Sequence, residues 1–262
     1  MGKERFRRRS CRDRRDPVID TILFDLDGTL LAVKQADFLG VYLVELGKVF
    51  ARMGLDPDKA LKAMWAGTKA MVENDGGALN SFRFWQTFQG YLGLSTDERL
   101  PIEAACDGFY NDEFHRVKSV ARLDGAAARL VRDTSAKGYK VVLATNPLFP
   151  LVAVRARLGW LGLSDADFFL VTHYANCTYS KPNPGYYKDI LSKISKEPGQ
   201  CLMAGNSPAE DMCAGELGIE TFLVTDCLEN ETGTAISRFR NGSLRDLETL
   251  LSAFPDLTAQ QM

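Results

Sequence analysis

The chain is predicted to fold as an α/β protein, with a doubly wound parallel sheet and a smaller α-helical domain inserted into it. A short apolar strand near residue 22 ends in polar residues. The stretch that follows shows only helical periodicity, and from residue 124 onward apolar strand segments alternate with helical ones. Strands that are apolar along their whole length are typical of a parallel sheet covered by helices on both faces. Right-handed crossovers between such strands produce the doubly wound arrangement.

The order of these segments assigns each part of the chain to a domain. We expect the sheet domain to comprise residues 17–30 and 121–262, and the helical domain to comprise residues 31–120. The segments predicted as strands are 20–25, 140–145, 168–172, 200–204 and 221–225. The segments predicted as helices of the sheet domain are 125–136, 149–158, 186–194, 209–217 and 243–254. Ligand sites of such folds lie at the carboxyl ends of the strands.

Composition and charge restrict the class of protein. The 262 residues contain no apolar run approaching the ~18–20 residues of a membrane span. Six cysteines are scattered without a CxxC pair, which favours reduced thiols and a cytoplasmic location.

The first residues have a distinct composition. Residues 1–16 carry eight Lys or Arg against three Asp or Glu, with almost no aliphatic side chains. Such a segment cannot bury a core, and it is either a disordered basic leader or an arm that binds nucleic acid or a membrane surface. We favour the leader, and we therefore expect neither nucleic acid nor a membrane as a partner.

The most informative motif is the end of the first strand, Ile22-Leu-Phe-Asp-Leu-Asp-Gly-Thr-Leu30. Asp25 and Asp27 stand two residues apart, so in an extended strand their side chains point the same way. Two carboxylates this close repel each other unless a cation or a shared proton compensates. The motif therefore predicts a metal site suited to phosphoryl transfer.

This run resembles the first motif of the haloacid dehalogenase (HAD) superfamily, a hydrophobic strand followed by Asp-x-Asp-Gly-Thr. The resemblance implies a Rossmann-like core in which Asp25 is the nucleophile and Asp27 is a general acid and base. Thr29 completes the motif and is assigned to phosphate binding.

Two further elements follow in the order that the family shows. Thr145 and Asn146 end a strand, where a hydroxyl and backbone N–H groups can bind a phosphoryl oxygen. Lys181 precedes Pro182 and Pro184, and this segment resembles the family's third motif. A fixed ammonium there would neutralise the nucleophile and bind the phosphoryl oxygens in the transition state.

The fourth element, residues 205–211, departs from the family pattern. The resemblance places a Mg²⁺-binding Asp directly after the glycine, and this chain has Asn206 there. Acids follow at Glu210 and Asp211. Mg²⁺ prefers oxygen ligands, so we expect a site that persists, formed by Asp25, Asp27, Asn206, Glu210 and Asp211.

The segment between the first two elements is about 115 residues long, and family members with a helical cap carry the cap at this point. Substrate choice is then expected to lie with the cap. Six aromatic residues there either line a specificity pocket or form the cap's own core: Trp65, Phe82, Phe84, Trp85, Phe88 and Tyr91.

The resemblance predicts a Mg²⁺-dependent phosphatase that hydrolyses a small phosphorylated metabolite through an aspartyl-phosphate. Phosphomutases of the superfamily share all four elements and stay open as an alternative. A non-catalytic binding protein that retains the fold also stays open, with Asn206 in its favour. Dehalogenases of the superfamily lack the second Asp, so Asp27 argues against that activity. The sequence leaves the oligomeric state open.

Overall fold

Six parallel strands form the central sheet, in the order β3-β2-β1-β4-β5-β6. The computed structural model describes residues 18–123 and 125–260, so the predicted leader at 1–16 lies outside the described residues. The strands are β1 Thr21–Phe24, β2 Lys140–Leu143, β3 Leu170–Val171, β4 Cys201–Gly205, β5 Glu220–Val224 and β6 Asn241–Gly242. This sheet, with helices on both sides, confirms the predicted doubly wound α/β fold.

The register of the central strands determines what meets at their ends. Phe24 of β1 pairs with Leu143 of β2 on one side and with Ala204 of β4 on the other. The residues directly after these strands therefore emerge at the same edge of the sheet. This is the edge at which the sequence placed its polar residues.

Alternation along β1 divides the core into two layers. Ile22 and Phe24 belong to one buried cluster, whereas Leu23 belongs to a second cluster together with Val142 and Met203. Successive residues of a strand point to opposite faces, so each face of the sheet has its own core. The first cluster extends into the helices that follow β1.

The described part of the chain contains eight α-helices, four in the inserted segment and four in the sheet domain. Those of the inserted segment are α1 Gln35–Arg52, α2 Pro57–Val72, α3 Asn80–Leu92 and α4 Thr96–Asn111, followed by a 3₁₀ helix at Glu113–Val120. Those of the sheet domain are α5 Ala126–Ala136, α6 Leu151–Trp160, α7 Pro184–Ile194 and α8 Leu244–Ser252. The first four form the helical cap, although its boundaries at 31 and 120 stay predictions. None of the helices within 18–123 and 125–260 combines the length and apolarity of a membrane span.

Local sequence explains where the cap helices begin. Asp56 accepts a hydrogen bond from the backbone N–H of Lys59, and Pro57 occupies the first position of α2. Ser95 and Glu98 form a reciprocal capping box at the start of α4. These caps satisfy backbone donors that a helix leaves free at its first turn.

Two local predictions were wrong. The helix predicted at 209–217 is a turn followed by a 3₁₀ helix at Met212–Leu217. The carbonyl of Ser207 accepts bonds from the N–H groups of both Asp211 and Met212, which completes a single turn. The next bond, from the Ala214 N–H to the Asp211 carbonyl, spans three residues, as in a 3₁₀ helix. The short strand β6 was not predicted, since two residues carry too little pattern.

One buried amide connects the cap to the sheet domain. Asn80, at the first turn of α3, is fully buried. Its Nδ2 lies 3.1 Å from Ser180 Oγ and 3.3 Å from the carbonyl oxygens of Pro147 and Tyr179. Its Oδ1 accepts a bond of 2.8 Å from Asn74. The start of α3 is therefore held against the loops that follow β2 and precede α7.

Replacing Asn80 with alanine is expected to lower the free energy of unfolding by about 1–3 kcal/mol, because buried polar partners lose their bonds. Urea unfolding followed by circular dichroism measures this. Asn111→Ala is the matched control, since Asn111 is exposed and bonds only the carbonyl of Asp107. It should change the stability by no more than about 0.5 kcal/mol. Equal effects of the two variants would contradict the role of Asn80.

Candidate active site

A cavity of about 140 Å³ opens at the carboxyl ends of β1, β2 and β4. The register of the sheet brings the predicted residues together there, across more than 180 positions of sequence. Those that line the cavity are Asp25, Asp27, Thr145, Asn146, Asn206, Glu210 and Asp211. The structure thus assembles one site from the predicted elements, while the individual roles of these residues stay predictions.

Lys181 lies beneath this cavity with its side chain fully buried. Its ammonium donates to Asp25 Oδ1 at 2.8 Å and to Asp211 Oδ1 at 2.6 Å. Burial alone lowers the pKa of a lysine, but Asp211 and Asp25 raise the pKa of Lys181 well above its usual value. Lys181 therefore stays charged and holds the first and fourth elements together.

Asp25 is the most strongly perturbed carboxyl of the pair at the end of β1. Burial and the charge of Asp211 raise its pKa to about 7, although Lys181 acts in the opposite direction. The residue is 7% exposed and lines the cavity. Any further positive charge in the cavity favours the ionised form of Asp25.

Asp27 is held by an arginine from another part of the chain. Arg157 of α6 is fully buried and donates through Nη1 to Asp27 Oδ2. Its guanidinium also stacks 4.4 Å from the centre of the Phe149 ring. Burial raises the pKa of Asp27, and Arg157 opposes this rise. The second oxygen, Oδ1, is buried and has no hydrogen-bond partner among the described residues.

The fourth element contacts the first through Asn206 and Thr29. The Thr29 hydroxyl lies 3.1 Å from both Asp25 Oδ2 and Asn206 Oδ1, and its single proton bonds one of them at a time. Asn206 Nδ2 donates to the carbonyl of Cys227 at 2.7 Å. Gly28 has a φ of +82°, and a Cβ there would lie 2.1 Å from Asn206 Nδ2. Only glycine permits this close approach.

Thr145 and Asn146, the two residues of the second element, differ in whether their side chains are free to bind a phosphoryl oxygen. The backbone carbonyl of Thr145 accepts bonds from Thr172 and Tyr186, whereas its hydroxyl bonds no residue in the described part of the chain. That hydroxyl is available for a phosphoryl oxygen. Asn146 donates to Glu210 at 3.0 Å and accepts from the backbone N–H of Lys181, so both ends of its amide are engaged. Its phosphate-binding role stays a prediction.

The acidic residues of the fourth element have protein partners. Asp211 accepts from Lys181 and from the backbone N–H of Ser207, and Glu210 accepts from Asn146. Within 18–123 and 125–260, no group of three Asp, Glu, His or Cys side chains is placed to hold a metal ion. A cation would therefore also need neutral oxygens, such as Asn206 Oδ1.

The charge balance of the cavity nevertheless fits a divalent cation. Five carboxyl groups line it, namely Asp25, Asp27, Glu210, Asp211 and Glu229. Lys181 and Arg157 neutralise part of this charge. Burial is the main cause of the raised pKa of Asp25, and the charge of Asp211 adds to it. Asp27 Oδ1 is a buried acceptor that has no donor among the described residues. Hard oxygen donors in excess are the ligands that Mg²⁺ prefers.

Sequence reasoning missed Glu229 and Arg157. Burial, together with the charges of Glu210, Asp211 and Asp27, raises the pKa of Glu229 to about 7. Glu229 follows β5 in a loop that carries no family motif, so its sequence offers no signal. Arg157 is one of two arginines in an otherwise apolar helix, Leu-Val-Ala-Val-Arg-Ala-Arg-Leu-Gly-Trp. The other, Arg155, pairs with Asp165 at the surface, so the sequence alone does not show which arginine enters the site.

The aromatic residues of the cap separate into two groups. Phe82 and Tyr91 are exposed on the surface of α3. Trp65, Phe84, Trp85 and Phe88 line a second cavity beneath α2 and α3. Trp85 and Phe88 are also buried members of the main core cluster. Trp85 and Phe88 thus belong to the cap's own core, whereas the role of the cavity in specificity stays a prediction.

Comparison with known families agrees with this geometry. The family model for haloacid dehalogenase-like hydrolases matches residues 19–217, which is most of the chain. The chain belongs to this family. It is therefore a hydrolase, and the superfamily expected from the motifs is confirmed. No curated protein sequence matches the chain.

Solved structures of the haloacid dehalogenase superfamily share the fold at low sequence identity. A HAD phosphatase from Thermococcus onnurineus is 18% identical, with a TM-score of 0.57 over 91% of this chain and 100% of that one. A predicted phosphoglycolate phosphatase from Haemophilus somnus 129pt is 19% identical, with a TM-score of 0.55 over 88% and 97%. The L-2-haloacid dehalogenase from Xanthobacter autotrophicus is 17% identical, with a TM-score of 0.52 over 90% and 99%.

The raised pKa of Asp25 predicts how stability depends on pH. A carboxyl with a pKa near 7 when folded and 3.8 when unfolded binds its proton more tightly when folded, so stability falls as the pH rises from about 4 to 7. Asp25→Asn removes this titration. We expect its gain in free energy of unfolding over the unmodified protein to be larger at pH 8 than at pH 4, in EDTA.

Chemical denaturation at both pH values measures that difference. Asp37→Asn is the control, because Asp37 lies exposed in the first turn of α1. It should be no more stable than the unmodified protein, because it loses an acidic residue from the first turn of a helix. A gain for Asp25→Asn that is constant between pH 4 and pH 8 would contradict the raised pKa.

Proposed function

We propose that this hydrolase cleaves small phosphate monoesters with Mg²⁺, through an aspartyl-phosphate on Asp25. The observation that carries the proposal is the position of Asp25, which lies in the cavity within 2.8 Å of the fixed ammonium of Lys181 and two residues from Asp27. A nucleophile, a cation for the phosphoryl group and a candidate acid thus occupy one site. The phosphatase names of two structural neighbours support this assignment.

Asp25 acts as the nucleophile. Its carboxylate attacks phosphorus, the bond from phosphorus to the ester oxygen breaks, and an aspartyl-phosphate forms. Lys181 holds Asp25 in place, favours its ionised form and neutralises charge that develops on the phosphoryl oxygens. The free hydroxyl of Thr145 donates to one of those oxygens.

Asp27 acts as the general acid and then as the general base. In the first step it protonates the leaving alcohol oxygen, and in the second it takes a proton from the water that attacks the aspartyl-phosphate. Burial favours the protonated form that the first step requires, and Arg157 favours the ionised form that the second step requires. Arg157 also fixes the carboxyl group through Oδ2.

Mg²⁺ would be held by the carboxylate of Asp25, the backbone carbonyl of Asp27 and Asn206, with Glu210, Asp211 or Glu229 supplying further charge. When bound, the cation stabilises the ionised form of Asp25 and the negative charge of the phosphoryl group. Asn206 contributes a neutral oxygen, so metal binding is expected to be weaker than with a carboxylate at this position.

Transfer of the phosphoryl group to a second hydroxyl of the substrate, as in a mutase, uses the same four elements. Product analysis separates the two reactions, since a phosphatase releases inorganic phosphate and a mutase returns an isomeric ester. The presence of Asp27, paired with Arg157, favours either of these over dehalogenation.

Purified protein is expected to release phosphate from p-nitrophenyl phosphate with Mg²⁺ and to lose this activity in EDTA. Asp25→Asn should reduce turnover at least about 10³-fold, because the neutral amide is a poor nucleophile. Asp37→Asn is the control, because Asp37 is exposed on α1, and this variant should retain activity. Absence of phosphate release from the unmodified protein with Mg²⁺ would favour the non-catalytic alternative.

Asp27→Asn should slow the second step more than the first when the leaving group is p-nitrophenolate, which needs no protonation. We expect an initial burst of p-nitrophenol followed by turnover about 10²–10⁴-fold slower, since general base catalysis is lost. Stopped-flow absorbance measures the burst, and intact-protein mass spectrometry detects the phosphorylated chain. Equal steady-state rates for this variant and the unmodified enzyme would contradict the role of Asp27.

A further inference from the structure

The cap contains a second cavity of about 150 Å³, which we call the cap cavity. It lies among α1, α2, α3 and α4 and the loop that follows β2. Its wall is largely aromatic, with Tyr42, Phe50, Trp65, Phe84, Trp85 and Phe88 among its lining residues. Such a surface offers mainly apolar contact, although Gln35, Thr68 and tyrosine hydroxyl groups also line it.

The cap cavity adjoins the cavity that holds Asp25 at the carboxyl ends of the strands, which we call the catalytic cavity. Gln35, Leu39, Leu148 and Phe149 line both of them. The last two follow Thr145 and Asn146 after one intervening residue, in the loop between β2 and α6. A phosphate ester with its phosphorus at Asp25 would therefore direct its alcohol part past Leu39 and Phe149 toward the cap cavity.

The charges around the cap cavity exclude an anionic alcohol part. Among the described residues that line it, Asp107 is the one charged side chain, and none is Lys, Arg or His. Arg157 stacks on Phe149, but it is fully buried and already paired with Asp27. A carboxylate or a second phosphate placed here would lose its hydration without gaining a cation.

The volume of the cap cavity also limits the bulk of the alcohol part of the substrate. A cavity of about 150 Å³ lined by apolar side chains accommodates one benzene molecule. The cap cavity has this volume and a more aromatic lining. A single ring, or an aliphatic group of the same bulk, fills it, whereas a two-carbon group leaves most of the aromatic wall without contact.

We propose that the substrates are monophosphate esters of uncharged, apolar alcohols, with about one ring's bulk bound in the cap cavity. This inference rests on the proposed phosphatase function. The reaction is unchanged: the bond from phosphorus to the ester oxygen breaks, the alcohol oxygen gains a proton, and water completes the release of inorganic phosphate.

Three probes test the proposal on the full chain with Mg²⁺: benzyl phosphate, ethyl phosphate and phosphoglycolate. Benzyl and ethyl alcohol are similar leaving groups, so their comparison reports the contact made by the ring. We expect kcat/KM for benzyl phosphate to exceed that for ethyl phosphate by about tenfold or more, because a ring is removed from water. Phosphoglycolate, with its carboxylate, should be the poorest of the three.

A matched pair of variants tests whether the preference for benzyl over ethyl phosphate depends on the cap cavity. Trp65 lines the cap cavity and is 44% exposed, whereas Phe82 is an exposed aromatic residue of the same cap that does not line it. Trp65→Ala is expected to lower the ratio of kcat/KM for benzyl over ethyl phosphate about fivefold. Phe82→Ala should leave that ratio unchanged. Both positions are exposed enough for the variants to fold, and circular dichroism checks this.

The outcomes separate this inference from the proposed function. Phosphate release from ethyl phosphate or phosphoglycolate at a rate equal to or above that from benzyl phosphate would overturn the inference and leave the phosphatase in place. An unchanged ratio in Trp65→Ala would overturn it as well. Inertness of all three esters would overturn the proposed function, and the inference with it.

Discussion

The buried ammonium of Lys181 is the interaction on which the rest of the site depends. It has no exposure to solvent, so it requires the two carboxylates that it contacts, Asp25 and Asp211. These come from the end of β1 and from the loop after β4, and Lys181 itself precedes α7. One cation thereby determines how three separate segments meet, and it places the predicted nucleophile at the floor of the cavity.

Lys181 does not neutralise the site. Glu210, Asp27 and Glu229 add negative charge, and Arg157 offsets only part of it. Burial, together with these like charges, makes the carboxyl groups hold protons more tightly than usual, and it raises the pKa values of Asp25 and Glu229 to about 7. Such a site stores unfavourable electrostatic energy, and a cation or a transferring phosphoryl group with its metal relieves it. The same charge distribution that weakens the fold is what the proposed chemistry uses.

The cap differs from the catalytic cavity in its physical character. The catalytic cavity is acidic, whereas the cap cavity is aromatic and carries a single charged side chain among its described lining residues. Leu39 and Phe149 line both cavities. A substrate that satisfies both must be polar at its phosphate and apolar at its alcohol, and this division is the basis of the substrate class proposed above.

The sequence by itself determined the fold class, the order of its main elements and four of the five carboxyl residues that line the catalytic cavity. It did so because residues after parallel strands meet at one edge of the sheet, so Asp25, Thr145 and Asn206 converge whatever the details of packing. Only the tertiary structure decided which other charged side chains these residues meet. Arg157 reaches Asp27 across 130 positions, and Glu229 enters from a loop without a motif. Such pairings depend on how α6 and the β5 loop pack, which no local pattern encodes.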